Sequence, residues 1–186
     1  PALRSGSNKR QEVQPVDRVT RETSALLTRI EANPTEAGLY IQLAAMYRKF
    51  NQPDRARAAL EQGLGPTGSN YQIMLELMEM DLDPFRRNLT IVEEKLRTKT
   101  AAPVAEDGED EEGPSLDDLR KIRLRLLKEI NSREIELYRL KGDRFPLELS
   151  HRLELGYRLM RVDQIDQAIV ELQMARKDPK LVGRAA

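Results

Sequence analysis

Cysteine is absent from this chain, and His151 is its only histidine. Without a thiol there is no disulfide, no thiolate metal site and no cysteine nucleophile. A single imidazole would have to carry any histidine-based metal site or Ser-His-Asp triad alone. Tryptophan is also missing, and aromatics make up 4% of the 186 residues. So few large rings suit a thin helical stack, in which each layer buries one face in aliphatic side chains and exposes the other. Net charge is absent too, because 31 basic and 31 acidic residues cancel. No global field therefore draws the chain to nucleic acid or to an anionic bilayer. No apolar run approaches the roughly 18 residues that cross a membrane, and no secretory leader is visible. These absences point to a cytoplasmic chain with no membrane insertion, no nucleic-acid partner and no cofactor. The chain begins at Pro1 rather than Met, so targeting or catalytic parts outside it stay open.

What the chain has in quantity is charge, 33% of its residues, set between apolar positions at helical spacing. Residues 1–14 are polar and read as a flexible N-terminal segment. From Val16 the apolar positions Val16, Val19, Leu26 and Ile30 share one helix face, and Asn33-Pro34 ends it because the residue before proline avoids the α region. Helices are predicted over about 35–49 and 54–64, separated by Asn51-Gln52-Pro53. Asparagine tolerates the left-handed turn, and proline suits a first helical turn. A further helix is predicted over 69–82, with Asp83 capping a new one that starts at Pro84.

Residues 99–114 change character. Glu106, Asp107, Glu109, Asp110, Glu111 and Glu112 repel one another and have nothing to bury, so this stretch is expected to be a disordered acidic linker. Ser115 with Asp118 then opens a long helix to about Gly142 in the manner of a capping box. That helix has two apolar stripes, one through Leu119, Ile122, Leu126, Ile130 and Leu137, the other through Leu124, Leu127, Ile135 and Tyr138. Two stripes imply two covered sides. A coiled-coil seam is disfavoured, since heptads begun at Leu119 and Ile122 put Glu129, Arg133 and Glu136 in the seam. Helices over about 147–161 and 164–177 follow. The domain organisation is thus 1–14, a helical segment 15–98, the linker 99–114, and 115–186 with the long helix and a helix pair.

Four features invite a chemical interpretation and lose it on inspection. Gly63 to Gly68 spells G-x-G-x-x-G, but a helix rather than a strand precedes it and Pro66 removes an N–H that would cradle phosphate. The acidic run lacks the sixth-position glycine of a calcium loop, where Glu112 stands. The long helix has nine Lys/Arg against six Asp/Glu from Asp117 to Arg144, diluted by acids and with no interleaved aromatic apart from Tyr138, as a solvated face has. His151 has no second ligand at metal spacing, and the carboxylate pairs (Glu134 and Glu136, Asp117 and Asp118) share no face. No enzymatic activity is expected.

Two segments repeat one spacing. Tyr40, Leu43, Ala44, Tyr47, Ala56, Leu60 and Gly63 step by three, one, three, nine, four and three residues, and so do Arg152, Leu155, Gly156, Leu159, Ala168, Leu172 and Ala175. Small residues at Ala44, Gly156, Ala56 and Ala168 let two helices cross closely. With Pro34 before the first set and Pro146 and Pro179 flanking the second, the pattern resembles the tetratricopeptide repeat (TPR), a 34-residue helix-turn-helix unit. It is also similar to bacterial proteins carrying such repeats whose role is unknown. Arg152 stands where the family has a large aromatic, and residues 70–97 read as a degraded third copy.

The resemblance implies an all-α, TPR-like α-solenoid of antiparallel helix pairs, interrupted by the long helix and the acidic loop. It further implies a concave groove lined by Ile41, Gln42, Ala45, Arg48 and Lys49 in the first copy and by Leu153, Glu154, Tyr157, Met160 and Arg161 in the second. Ile41 and Ala45 replace the Lys and Asn of the carboxylate clamp, so the implied ligand is a peptide or helix of a protein partner without that clamp. The expected function is a non-enzymatic protein-interaction scaffold. The alternative is a structural subunit that stacks on copies of itself through the last helix, whose Ile165, Ile169, Val170, Leu172 and Met174 leave an uncapped apolar surface.

Overall fold

A computed structural model of the chain describes residues 15–101 and 113–184. The segment read as flexible, 1–14, lies outside the described residues, as do residues 102–112 of the acidic linker. All regular elements among the described residues are helices: α1 (Pro15–Ala32), α2 (Ala37–Lys49), α3 (Pro53–Leu64), α4 (Tyr71–Ala101), α5 (Leu116–Arg144), α6 (Leu149–Arg161) and α7 (Ile165–Ala175). None is long and apolar enough to cross a membrane. The chain divides into two compact units, Pro1–Leu77 and Met78–Ala186, with the boundary inside α4.

In the first unit, α2 and α3 fold back on each other through Phe50, Asn51 and Gln52. Asn51 takes a left-handed φ of 56°, as a tight interhelical turn requires. Leu39, Tyr40, Leu43, Ala44, Ala56 and Leu60 are buried between them. Glycine is required at position 63: a Cβ there would sit 2.7 Å from Tyr40 Cγ and 2.9 Å from Ile73 Cδ1. The Tyr40 ring is also tethered, its hydroxyl donating to the Pro34 carbonyl at 3.0 Å. The G-x-G-x-x-G string is a turn, in which Thr67 N–H reaches Gly63 O and Gly68, at φ 65°, donates to Gly65 O.

One expectation is corrected. Asp83-Pro84 does not restart a helix; α4 runs unbroken through Pro84. Proline costs the helix one hydrogen bond, to the Met80 carbonyl, and about 3 kcal/mol. Apolar residues buried on either side of it, Leu82 before and Val92 after, hold the helix together across that gap.

In the second unit, α5 starts at Ser115, whose hydroxyl accepts the Asp118 N–H at 3.1 Å and donates to Asp118 Oδ2 at 2.8 Å. That contact holds the Asp118 carboxyl below the usual range. α6 and α7 fold back through Val162, Asp163 and Gln164, with Asp163 at φ 64°. Ile135 of α5 joins Leu155, Leu159 and Ala168 in one core cluster. Gly156 is the tight spot here, since a Cβ would lie 2.7 Å from Leu172 Cγ.

The two hairpins match beyond their side chains. Asn33 donates to Arg29 O and Phe145 to Lys141 O; Glu36 to Asn33 O and Glu148 to Phe145 O; Gln52 to Tyr47 O and Gln164 to Leu159 O; Ala56 to Gln52 O and Ala168 to Gln164 O. Every partner lies 112 residues on, as 163 does from 51. The duplicated unit thus includes the end of the preceding helix, α1 in one case and α5 in the other.

Candidate functional site

The residues assigned to a groove do not share one fate. On α2, Gln42, Ala45 and Lys49 are exposed and Ile41 is half-buried. Arg48 points outward but is paired with Glu76 of α4, 2.8 Å away. On α6, Leu153 is fully buried, packed with Ala175 of α7 and with Leu181 from the segment after it. That segment also takes up Glu154 and Tyr157: Arg184 Nη2 donates to Glu154 Oε1 at 3.2 Å, and the Tyr157 hydroxyl donates to the Arg184 carbonyl. Its own turns hold it in shape, Leu181 N–H bonding Asp178 O and Arg184 N–H bonding Leu181 O. The α6 face expected to be open is therefore covered, at Leu153, Glu154 and Tyr157, by the chain's own residues 178–184. Only Met160 and Arg161, at the end of α6, remain exposed.

The packing residues lie inside the hairpins. Tyr40, Leu43, Ala44, Ala56, Leu60, Leu155, Gly156, Leu159, Ala168 and Ala175 are buried, and Tyr47 and Leu172 are half-buried. Arg152, in the position of Tyr40, solves its burial with charge: its Nη1 donates to both carboxylate oxygens of Glu171 at 3.0 and 3.2 Å. The lone histidine is a local tie, Nε2 lying 3.0 Å from Glu148 Oε2.

A chain of charges crosses the second unit. Lys141 and Arg86 share Glu79 at 3.4 and 2.8 Å. Arg86 Nη2 donates to Glu134 Oε1 at 2.8 Å, and Arg158 Nε to Glu134 Oε2 at 2.9 Å. Arg158 then reaches Glu154, which also holds Arg184. Glu134 is buried. Burial pushes its carboxyl up, but the hydrogen bonds from Arg86 and Arg158 outweigh burial and hold it below the usual carboxylate range. Burial also pushes the Tyr138 phenol up, and the Arg158 guanidinium lies 4.9 Å over that ring. Sequence spacing carried a signal for this network: Glu134 falls on the same helix face as Ile130 and Leu137, a carboxylate set into an apolar stripe.

The second α5 stripe is covered only toward its C-terminal end. Ile135 is buried, while Leu124 is 65% exposed. Beside Leu124 lies a cleft of about 760 Å³ between α5 and the α6–α7 turn. Leu124, Leu127 and Val162 supply its apolar surface; Arg123, Lys128, Asn131, Arg161 and Asp163 supply its polar one. A second apolar surface is on α7, where Ile165, Ile169, Val170 and Met174 are exposed while Ala168 and Ala175 are buried on the opposite side. No group of three His, Asp or Glu among the described residues is placed to hold a metal ion.

No family model matches the chain, and comparison with curated proteins and with solved structures gave no match.

Proposed function

We propose that this chain is a helical-repeat scaffold of the tetratricopeptide type, which binds a peptide or helix of a protein partner and performs no chemistry of its own. Support comes first from the two hairpins that share their backbone hydrogen bonds at a fixed offset. Units of that kind bury one face against a neighbour and offer the other as an extended recognition surface. In the first copy that surface is α2, where Gln42, Ala45 and Lys49 face solvent. Affinity capture with quantitative mass spectrometry tests this. Partners enriched by the native chain should be lost with Gln42→Glu plus Ala45→Arg, a variant expected to keep its helical circular dichroism. A partner set unchanged by that variant removes α2 as the binding face.

One observation favours a second function, self-assembly. Along α7, Ile169 is 47% and Val170 58% exposed, on a helix whose other side is packed, and apolar faces of that kind are normally covered by a partner surface. Sedimentation velocity over a concentration series decides. A dimer that grows with concentration and is abolished by Val170→Glu supports assembly. A monomer at every concentration excludes it.

A further inference from the structure

The cleft between α5 and the α6–α7 turn is distinct from both of those faces and has a different chemistry. Cations predominate around its apolar part. Arg123, Lys128 and Arg161 stand around it, and Asp163, fixed at φ 64° in the turn, is the one carboxylate among its lining residues. These cations are only partly engaged. Arg123 gives Nε to Glu93 at 2.9 Å. Arg161 reaches only the Asn131 Oδ1, at 3.4 Å, and Lys128 has no ion-pair partner among the described residues. Asn131 is itself fixed, its Nδ2 donating to the Leu127 carbonyl at 2.6 Å, which holds the Oδ1 toward Arg161.

An isolated leucine at 65% exposure needs no explanation. Leu124 is not isolated: it continues the floor formed by Leu127 and Val162. A ligand for this site must therefore bring apolar surface to the floor and negative charge to the rim. Nucleic acid brings the charge without the apolar surface, and no aromatic side chain lines the cleft to stack a base. A protein segment with carboxylates flanking large aliphatic side chains brings both. We propose that this cleft binds an acidic amphipathic segment of a partner protein, its aliphatic side chains seated on Leu124 and Leu127 and its carboxylates paired with Lys128 and Arg161. Charge complementarity of this kind sets the rate and selectivity of encounter, and the apolar contact sets residence.

The test is fluorescence anisotropy of the full chain with a labelled synthetic helix-forming peptide, leucines recurring every three or four residues with Glu and Asp between them. The controls are the same peptide with Lys at each acidic position and a single-stranded oligonucleotide. The acidic peptide is expected to bind, more weakly at high salt, and to lose about tenfold in affinity with Leu124→Asp and again with Arg161→Glu. Both positions are exposed, and circular dichroism checks that each variant folds. Equal binding of the lysine peptide or of the oligonucleotide overturns the proposal, as does an affinity unmoved by Leu124→Asp. The chain's own Glu106–Glu112 run has the same charge, so a chain lacking residues 104–112 is measured in parallel. Binding seen only after that deletion makes the chain's own segment the occupant and also overturns the proposal. Binding by the full chain that strengthens on deletion supports it, with the acidic run as a competitor. Variants of α2 and α7 should leave this affinity unchanged, which separates its failure from that of the scaffold function.

Discussion

Replacing Glu134 removes the centre of the charge network. Its carboxylate accepts from Arg86 at 2.8 Å and from Arg158 at 2.9 Å, and among the described residues no other carboxylate touches both arginines. Glu134→Gln keeps the volume and removes the charge. A hydrogen bond to a charged group contributes about 1.5–3 kcal/mol, and breaking one side of a buried ion pair costs about 3–5 kcal/mol. The full sum does not apply here. The Arg86 side chain is 40% exposed, so water re-solvates most of what it loses and its share falls to about 1 kcal/mol or less. Arg158 is 15% exposed and keeps its share. The expected loss is about 2–4 kcal/mol, or a fall of about 5–15 °C in the midpoint of thermal unfolding.

The pH dependence gives this prediction its sign. A carboxyl held below its ordinary value of 4.5 in the folded chain stabilises the fold above that pH and loses the contribution as pH falls through the lowered value. The native chain should therefore exceed Glu134→Gln in stability by the full amount near neutrality, and the gap should close in acid below about pH 4.5. Thermal circular dichroism of both proteins across that range measures it. Midpoints within about one degree near neutrality would refute a stabilising network. A gap that persisted undiminished in acid would show that shape, not charge, is what glutamate supplies.

Three further outcomes follow from packing. Gly63→Ala should destabilise by about 1–2 kcal/mol despite alanine's better helix propensity, because the new methyl meets a tethered Tyr40 ring at 2.7 Å. Gly156→Ala should cost less, since the atom it meets belongs to the half-buried, movable Leu172; urea midpoints at unchanged m rank the two. At the left-handed turn positions Asn51 and Asp163, valine should cost about 1–2 kcal/mol and glycine should be neutral or stabilising, again read from urea midpoints. Leu181→Asp should release the segment that covers α6: hydrogen exchange at 180–184 should rise sharply with α7 protection retained. Protection retained through 184 would mean that the Leu153 contact does not hold the segment in place.

The hairpins were legible because their determinants are local. Ala44, Ala56 and Leu60 recur as Gly156, Ala168 and Leu172 at one offset, and the structure closes Asn51 and Asp163 into the same turn. The break expected at Pro84, which does not occur, shows where local rules end. The proline signal is genuine, yet α4 survives it because tertiary burial at Leu82 and Val92 outweighs one absent hydrogen bond. Of the charge network only Glu134, a carboxylate set into an apolar stripe, left a mark in the sequence, for the opposite reason. The network's members, from Glu79 to Arg184, are scattered along the chain, and only the fold brings them together.

The two copies also show why equal spacing does not give equal surfaces. Tyr40 fills the space left by Gly63 and anchors its hydroxyl on Pro34. At the equivalent pair, Arg152 turns its charge to Glu171, and Ala175, in the position of Gly63, is fully buried. Ala175 then contributes to a small apolar patch with Leu153, which Leu181 closes. One exchange, an aromatic for an arginine, thus accompanies the change from an open α2 to a covered α6. The open surface of the second unit lies instead at Leu124 and along α7, positions that the repeat spacing does not specify. Recognition built there would be particular to this chain, and the repeat would supply only the rigid frame that holds it.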